Sequence, residues 1–88
     1  MFSCYPNPFS EDFHFDLTLL KEQAVHFQLL DAKGNLLYSN RKDIPAGIQH
    51  FESLKLWPAS IVLPEGIYII KIFSEKITAI RKIVKVKH

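Results

Sequence analysis

The chain lacks most of what marks a chemical or membrane function. Cys4 is its one cysteine, so no disulfide forms within it. Its three glycines sit in separate segments, which excludes the glycine-rich loop that cradles a phosphate ahead of a helix. The longest purely apolar run, Ile67-Tyr68-Ile69-Ile70, falls far short of the roughly 20 residues of a membrane-spanning helix, so no transmembrane segment is expected. Met1-Phe2-Ser3-Cys4 carries no basic residue and leads into Pro6 and Pro8 rather than an apolar stretch, unlike a signal peptide. If the protein is exported, its export signal is expected outside this stretch.

Groups arranged for catalysis are also missing. Ser3, Ser10, Ser39, Ser53, Ser60 and Ser74 all stand outside a Gly-x-Ser-x-Gly turn, and Cys4 has no histidine nearby in sequence; a nucleophile needs a base and an orienting group beside it. No enzymatic role is expected. His14, His26, His50 and His88 are far apart in sequence. His14 and Asp16 share one strand face and offer two metal-ligand types, but spacing supplies no third. If the first two strands form a hairpin about Glu22, His26 falls opposite Thr18 rather than near His14. No metal or cofactor site is read from the sequence. Nucleic-acid binding is not expected either: it needs bases interleaved with exposed aromatics, whereas here the aromatics gather at 2–15 and the bases at 76–87. Trp57 and Tyr38 are the two candidates for a sugar-stacking platform, a short row for that purpose.

What is present is a pattern of period two. Phe13, Phe15, Leu17 and Leu19 alternate with His14, Asp16 and Thr18. Val25, Phe27 and Leu29 alternate with His26 and Gln28, and Tyr68, Ile70 and Ile72 with intervening residues such as Lys71. Val84 and Val86 alternate with Lys85 and Lys87, which predicts valines inward and lysines outward. Leu37 to Arg41 forms a weaker run. Phe51, Ser53, Lys55 and Trp57 share a face if extended, and residues 57–63 read as either a short edge strand or an apolar loop. Such alternation, rich in β-branched and aromatic residues, marks half-buried strands, and no helix of consequence is expected. Asp31-Ala32-Lys33-Gly34-Asn35 predicts a type I turn with a glycine bulge, Pro64-Glu65-Gly66 a second type I turn, and Ala46-Gly47 the opening of another strand.

The 88 residues fit one domain, 1–88. Six or seven short strands punctuated by turns predict an all-β, antiparallel, immunoglobulin-like β-sandwich. The net charge of +2 is unevenly spread. Residues 1–44 hold four basic and six acidic groups, whereas 45–88 hold seven basic and three acidic. The last stretch sets Lys76, Arg81, Lys82, Lys85 and Lys87 against Glu75 alone, a bias suited to an acidic partner or an anionic surface.

Five segments in order complete the reading: Tyr5-Pro6-Asn7-Pro8-Phe9, Asp31-Ala32-Lys33-Gly34, Ala46-Gly47, Leu63-Pro64-Glu65-Gly66-Ile67-Tyr68 and Lys82-Ile83-Val84-Lys85. Together they resemble the C-terminal sorting domains of the type IX secretion system, from Tyr5 to Lys87. The chain departs from that family in reading Ser74-Glu75-Lys76 where glycine is common, and in a rather long segment between Gly47 and Pro64. The resemblance implies a non-catalytic address label that follows a cargo domain. It implies passage through the periplasm, recognition by the type IX translocon, and cleavage upstream by a sortase-like surface peptidase. The cargo then ends on the outer-membrane surface or outside the cell. Tyr5, Pro6, Asn7, Pro8, Asp31, Gly34, Gly47, Pro64, Gly66 and Tyr68 are the motif and turn positions. Pro8 biases Asn7 toward extended geometry, so residues 5–9 are expected to be a stiff lead into the first strand. Lys82, Ile83, Val84, Lys85, Val86 and Lys87 are the expected translocon-recognition residues, through an open strand edge and steering by the lysines. The competing reading is a cell-surface adhesive or carbohydrate-binding sandwich module, with a structural spacer as a third.

Overall fold

A computed structural model describes residues 2–58 and 62–87. Seven strands and one helical turn follow one another: β1 (Phe2–Tyr5), β2 (His14–Leu19), β3 (Gln23–Asp31), β4 (Leu36–Ile44), β5 (Gly47–Glu52), α1 (Ser53–Leu56), β6 (Gly66–Phe73) and β7 (Thr78–Lys85). They form two sheets, ordered β1-β2-β5 and β4-β3-β6-β7. Every strand pair is antiparallel. The chain is therefore all-β, a two-sheet sandwich of the immunoglobulin-like kind.

The period-two pattern places the core. Phe13, just before β2, and Phe15 and Leu17 within it face Val25, Phe27, Leu29, Ile70 and Ile72 from the second sheet, all buried. Phe15 is the centre, its ring 5.2 Å from Phe51, 5.6 Å from Phe2 and 5.9 Å from Phe27. Such offset and edge-on aromatic pairs add to the burial of area.

The turns form as their residues dictate. Asp31 accepts the backbone N–H groups of Lys33 and Asn35 and the Asn35 side-chain amide, at 2.9, 2.9 and 3.0 Å. Gly34 follows at φ +90°, where a side chain is strained, and the β3–β4 register shifts at Leu29/Leu30. The Tyr68 ring is buried and its hydroxyl donates to the Pro64 carbonyl at 2.6 Å, a tether like the tyrosine corner of immunoglobulin-like sandwiches.

Several expectations are corrected. The segment after Leu19 is no hairpin: β2 pairs with β1 and β5, while β3 belongs to the other sheet. Leu20–Glu22 thus crosses between layers, and Thr18 stands opposite Ile48 rather than His26. The extended reading of 51–57 fails after Glu52. Ser53 and Trp57 are buried, but one helical turn, closed by Trp57 N–H to Ser53 O at 2.8 Å, swings Lys55 outward. The motif at 5–9 does not lead into the first strand either. It follows β1 and forms the connection to β2, with cis bonds at Tyr5-Pro6 and Asn7-Pro8.

The facing of β7 is reversed. Ile83 is buried, so Lys85 shares its inward side, while Val84 is half-buried and Val86 exposed. Ile83 fixes the parity of the strand, and a lysine is tolerated on the inward side near the strand's end because its long stem is apolar. Of the uncertain 57–63 segment, Trp57 packs against Phe13 at 6.4 Å, and residues 59–61 lie outside the described residues.

Candidate functional site

The signature segment and the last strand meet. The Asn7 side-chain amide donates to the Lys82 carbonyl at 3.1 Å, and the Val84 N–H donates back to Asn7 Oδ1 at 2.9 Å. Phe9 N–H donates to Val84 O at 2.9 Å, and Val86 N–H donates to Phe9 O at 2.8 Å, in a parallel bridge between Phe9 and Lys85. The Phe9 side chain is buried against Phe13, ring to ring at 4.9 Å. Asn7 therefore works as a two-ended clasp, and residues 7–9 lie along the outer edge of β7 from Lys82 to Val86. Over this length the backbone edge expected to stay open is already paired.

Beside it, Arg81 donates to the Phe2 carbonyl at 3.2 Å, and its guanidinium lies 5.2 Å from the centre of the Phe2 ring. That ties β7, an edge of one sheet, to β1, an edge of the other. Cys4 is half-buried here, and burial pushes its thiol up to about 11, with Arg81 opposing. It stays protonated and a poor nucleophile near neutral pH.

The remaining predicted positions are dispersed. Asp31 and Gly34 hold the β3–β4 turn, Gly47 opens β5 at φ +107°, Pro64 precedes β6 and Gly66 opens it. Tyr5 and Pro8 are exposed, as are Pro6, Lys82 and Lys87. The outward side of β6 and β7 carries Ile67 and Ile80 as exposed apolar groups beside Lys82, and Val86 and Lys87, just past the end of β7, are exposed as well. Trp57, one of the two sugar-platform candidates, is 3% exposed, and Tyr38 packs partly buried against the core.

A polar cluster that the spacing did not show lies across the outer face of β2 and β5. In the β2–β5 register, His14 stands opposite Glu52 and Asp16 opposite His50. The His50 Nδ1–H donates to Asp16 Oδ1 at 2.8 Å, and the Tyr5 hydroxyl donates to Asp16 Oδ2 at 3.1 Å. His14 Nδ1 is 3.3 Å from His50 Nε2, and the two rings stack at 5.3 Å. Asp12, just before β2, accepts from Ser53 Oγ and from Leu54 N–H through Oδ1. The hydrogen bond from His50 holds the Asp16 carboxyl below its ordinary value, helped by that from Tyr5, and the Lys55 ammonium does the same for Glu52. Only a β2–β5 pairing, invisible in the linear spacing, brings these groups together.

A shallow groove of about 620 Å³ lies at the far end of the sandwich, lined by residues including Lys21, Glu22, His26, Arg41 and Phe73. Its charges are of both signs.

A two-sheet sandwich laced by turn tethers and an edge clasp defines a small antiparallel β-sandwich domain of the immunoglobulin-like class. The family model for the secretion system C-terminal sorting domain matches residues 3–87, and the chain belongs to that family, the sorting signals of the type IX secretion system. No curated protein matches the chain.

Proposed function

We propose that this domain is read as a folded body by the type IX translocon and routes a preceding cargo domain across the outer membrane. Residues 1–88 act as one unit without catalysis of their own, as is typical of the family. The cargo passes through the periplasm and ends on the outer-membrane surface or in the medium after a sortase-like peptidase cuts upstream of the sandwich.

The observation that supports this reading is the clasp. The Tyr5–Phe9 signature and the Lys82–Lys87 strand form one hydrogen-bonded border, so the two motifs expected to carry the address exist as a surface only in the folded domain. With the 82–86 edge covered, recognition falls to the exposed side chains of Lys82, Val86 and Lys87 and the half-buried Val84. Lys85 and Ile83 support them from beneath. These charges and apolar groups suit a partner with an acidic, apolar docking face.

The test is a reporter fused between a signal peptide and this domain. The reporter reaches the surface in a strain with the translocon and stays in the periplasm without it. Lys82→Glu with Lys87→Glu retains the reporter in the periplasm while leaving the domain folded. Equal export with and without the translocon sinks the reading, and normal export of the double variant removes the role of the two lysines.

A further inference from the structure

We propose that Asp12, His14 and Glu52 form a binding site for a divalent transition-metal ion of the zinc class, with the Asp16–His50 pair positioning His14. One ligand atom from each of Asp12, His14 and Glu52 lies within 4.8 Å of the others. Their side chains are 26%, 31% and 30% exposed, enough to admit an ion and a water while limiting solvent screening.

Proton placement carries the argument. Asp16 is acceptor-only, so it takes the Nδ1–H of His50 at 2.8 Å. In a neutral ring, the His50 Nε2 is then a bare acceptor. It faces His14 Nδ1 at 3.3 Å, so that nitrogen carries the proton of His14. His14 Nε2 is left with its lone pair turned toward Asp12 Oδ2, 3.6 Å away. A lone pair facing a carboxylate oxygen repels it unless a proton or a metal ion lies between, and a metal ion is the occupant that also engages Glu52. The separation is long for a hydrogen bond and close to the ~3.4 Å between neighbouring ligands of a tetrahedral zinc ion with bonds near 2.0–2.1 Å.

Both carboxylates are half-committed in the same sense. Asp12 Oδ1 is held by Ser53 and Leu54, which presents Oδ2. Glu52 Oε2 is held by Lys55 at 2.6 Å, which leaves Oε1 as its second oxygen, 4.0 Å from His14 Nδ1 and in the same group of ligand atoms as Asp12 and His14. This is the arrangement of an orienting outer shell around metal ligands, including the carboxylate–histidine relay that fixes the tautomer. An imidazole with two carboxylates and an open position suits zinc and its neighbours more than calcium or magnesium, which prefer all-oxygen shells.

The test titrates Zn²⁺ into the 88-residue chain by calorimetry. One ion binds per chain in the micromolar range. His14→Gln and Glu52→Gln each weaken binding by at least about tenfold, and His26→Gln, on the other sheet, leaves it unchanged. Glu52→Gln keeps the test decisive if His14→Gln fails to fold. Asp16→Asn weakens binding about tenfold, and imaging the imidazole nitrogens by ¹⁵N NMR shows His14 changing from the Nδ1–H form to a mixture. Absence of binding at millimolar zinc overturns the proposal. So does binding that survives both His14→Gln and Glu52→Gln, or that is lost with His26→Gln.

Discussion

Asp31 shows how much one side chain sets at a turn. Its carboxylate accepts three N–H groups, and those from Asn35 hold its pKa below the ordinary value of 3.8, with Lys33 adding to the effect. A carboxyl depressed on folding contributes stability above its unfolded pKa, and that contribution is lost as pH falls through the folded value. Asp31→Asn keeps one acceptor and loses the charge. The melting temperature of the variant is therefore lower than that of the parent at neutral pH, and the gap closes as the pH drops below 3.8. A gap that stays constant down to strongly acid pH contradicts this account. The group is exposed, so the gap is modest.

At the scale of elements, the clasp between residues 7–9 and β7 sets the character of the edge. Asn7→Ala removes two hydrogen bonds, each worth about 1 kcal/mol net, so chemical denaturation reports a loss of about 1–2 kcal/mol. Amide exchange localises it: Val84 N–H, which Asn7 accepts, exchanges faster, while Val25 and Phe27 in the buried centre do not change. Uniform acceleration instead marks global destabilisation and removes the clasp as a local device.

The same scale shows what was legible beforehand. Asp31-Gly34 carries its turn chemistry in adjacent residues, so its geometry was readable. The segment expected as a type I turn at Pro64-Glu65-Gly66 is instead a bend, tied by the Tyr68 hydroxyl to the Pro64 carbonyl. The core faces of β2, β3 and β6 followed from alternation. Which sheet a strand joins is not written in alternation. Lys21-Glu22 looks like a hairpin turn although it crosses between layers, and only the β2–β5 register places His50 beside His14 and Glu52 opposite it. Lys85 misled because Val84 and Lys85 fit either parity, and the burial of Ile83 decides it. The clasp was hidden because its partners lie 75 and 77 residues apart.

For the whole molecule, residues 2–9 close the sandwich. β1 caps one edge of its sheet and touches β7 through Arg81, and Phe9 lies on the β7 edge. Phe2 and Phe9 are 8% and 2% exposed, and burying each contributes about 1.5–3 kcal/mol. A chain of this size has a total stability of the order of 5–10 kcal/mol, so losing both rings leaves it marginal. Removal also uncovers β2 and β7 together, and bare strand edges pair with other chains. Truncation to residues 10–88 therefore lowers the unfolding midpoint sharply and produces concentration-dependent association in size-exclusion chromatography. In the export assay the truncated domain leaves its reporter in the periplasm. The comparison with Asn7→Ala assigns the role of the signature. Export that survives Asn7→Ala but fails on truncation makes the segment a structural closure of the folded address. Loss of export in Asn7→Ala with stability nearly intact makes the border itself part of what the partner reads. A truncated domain that remains monomeric, stable and exported rules out both roles.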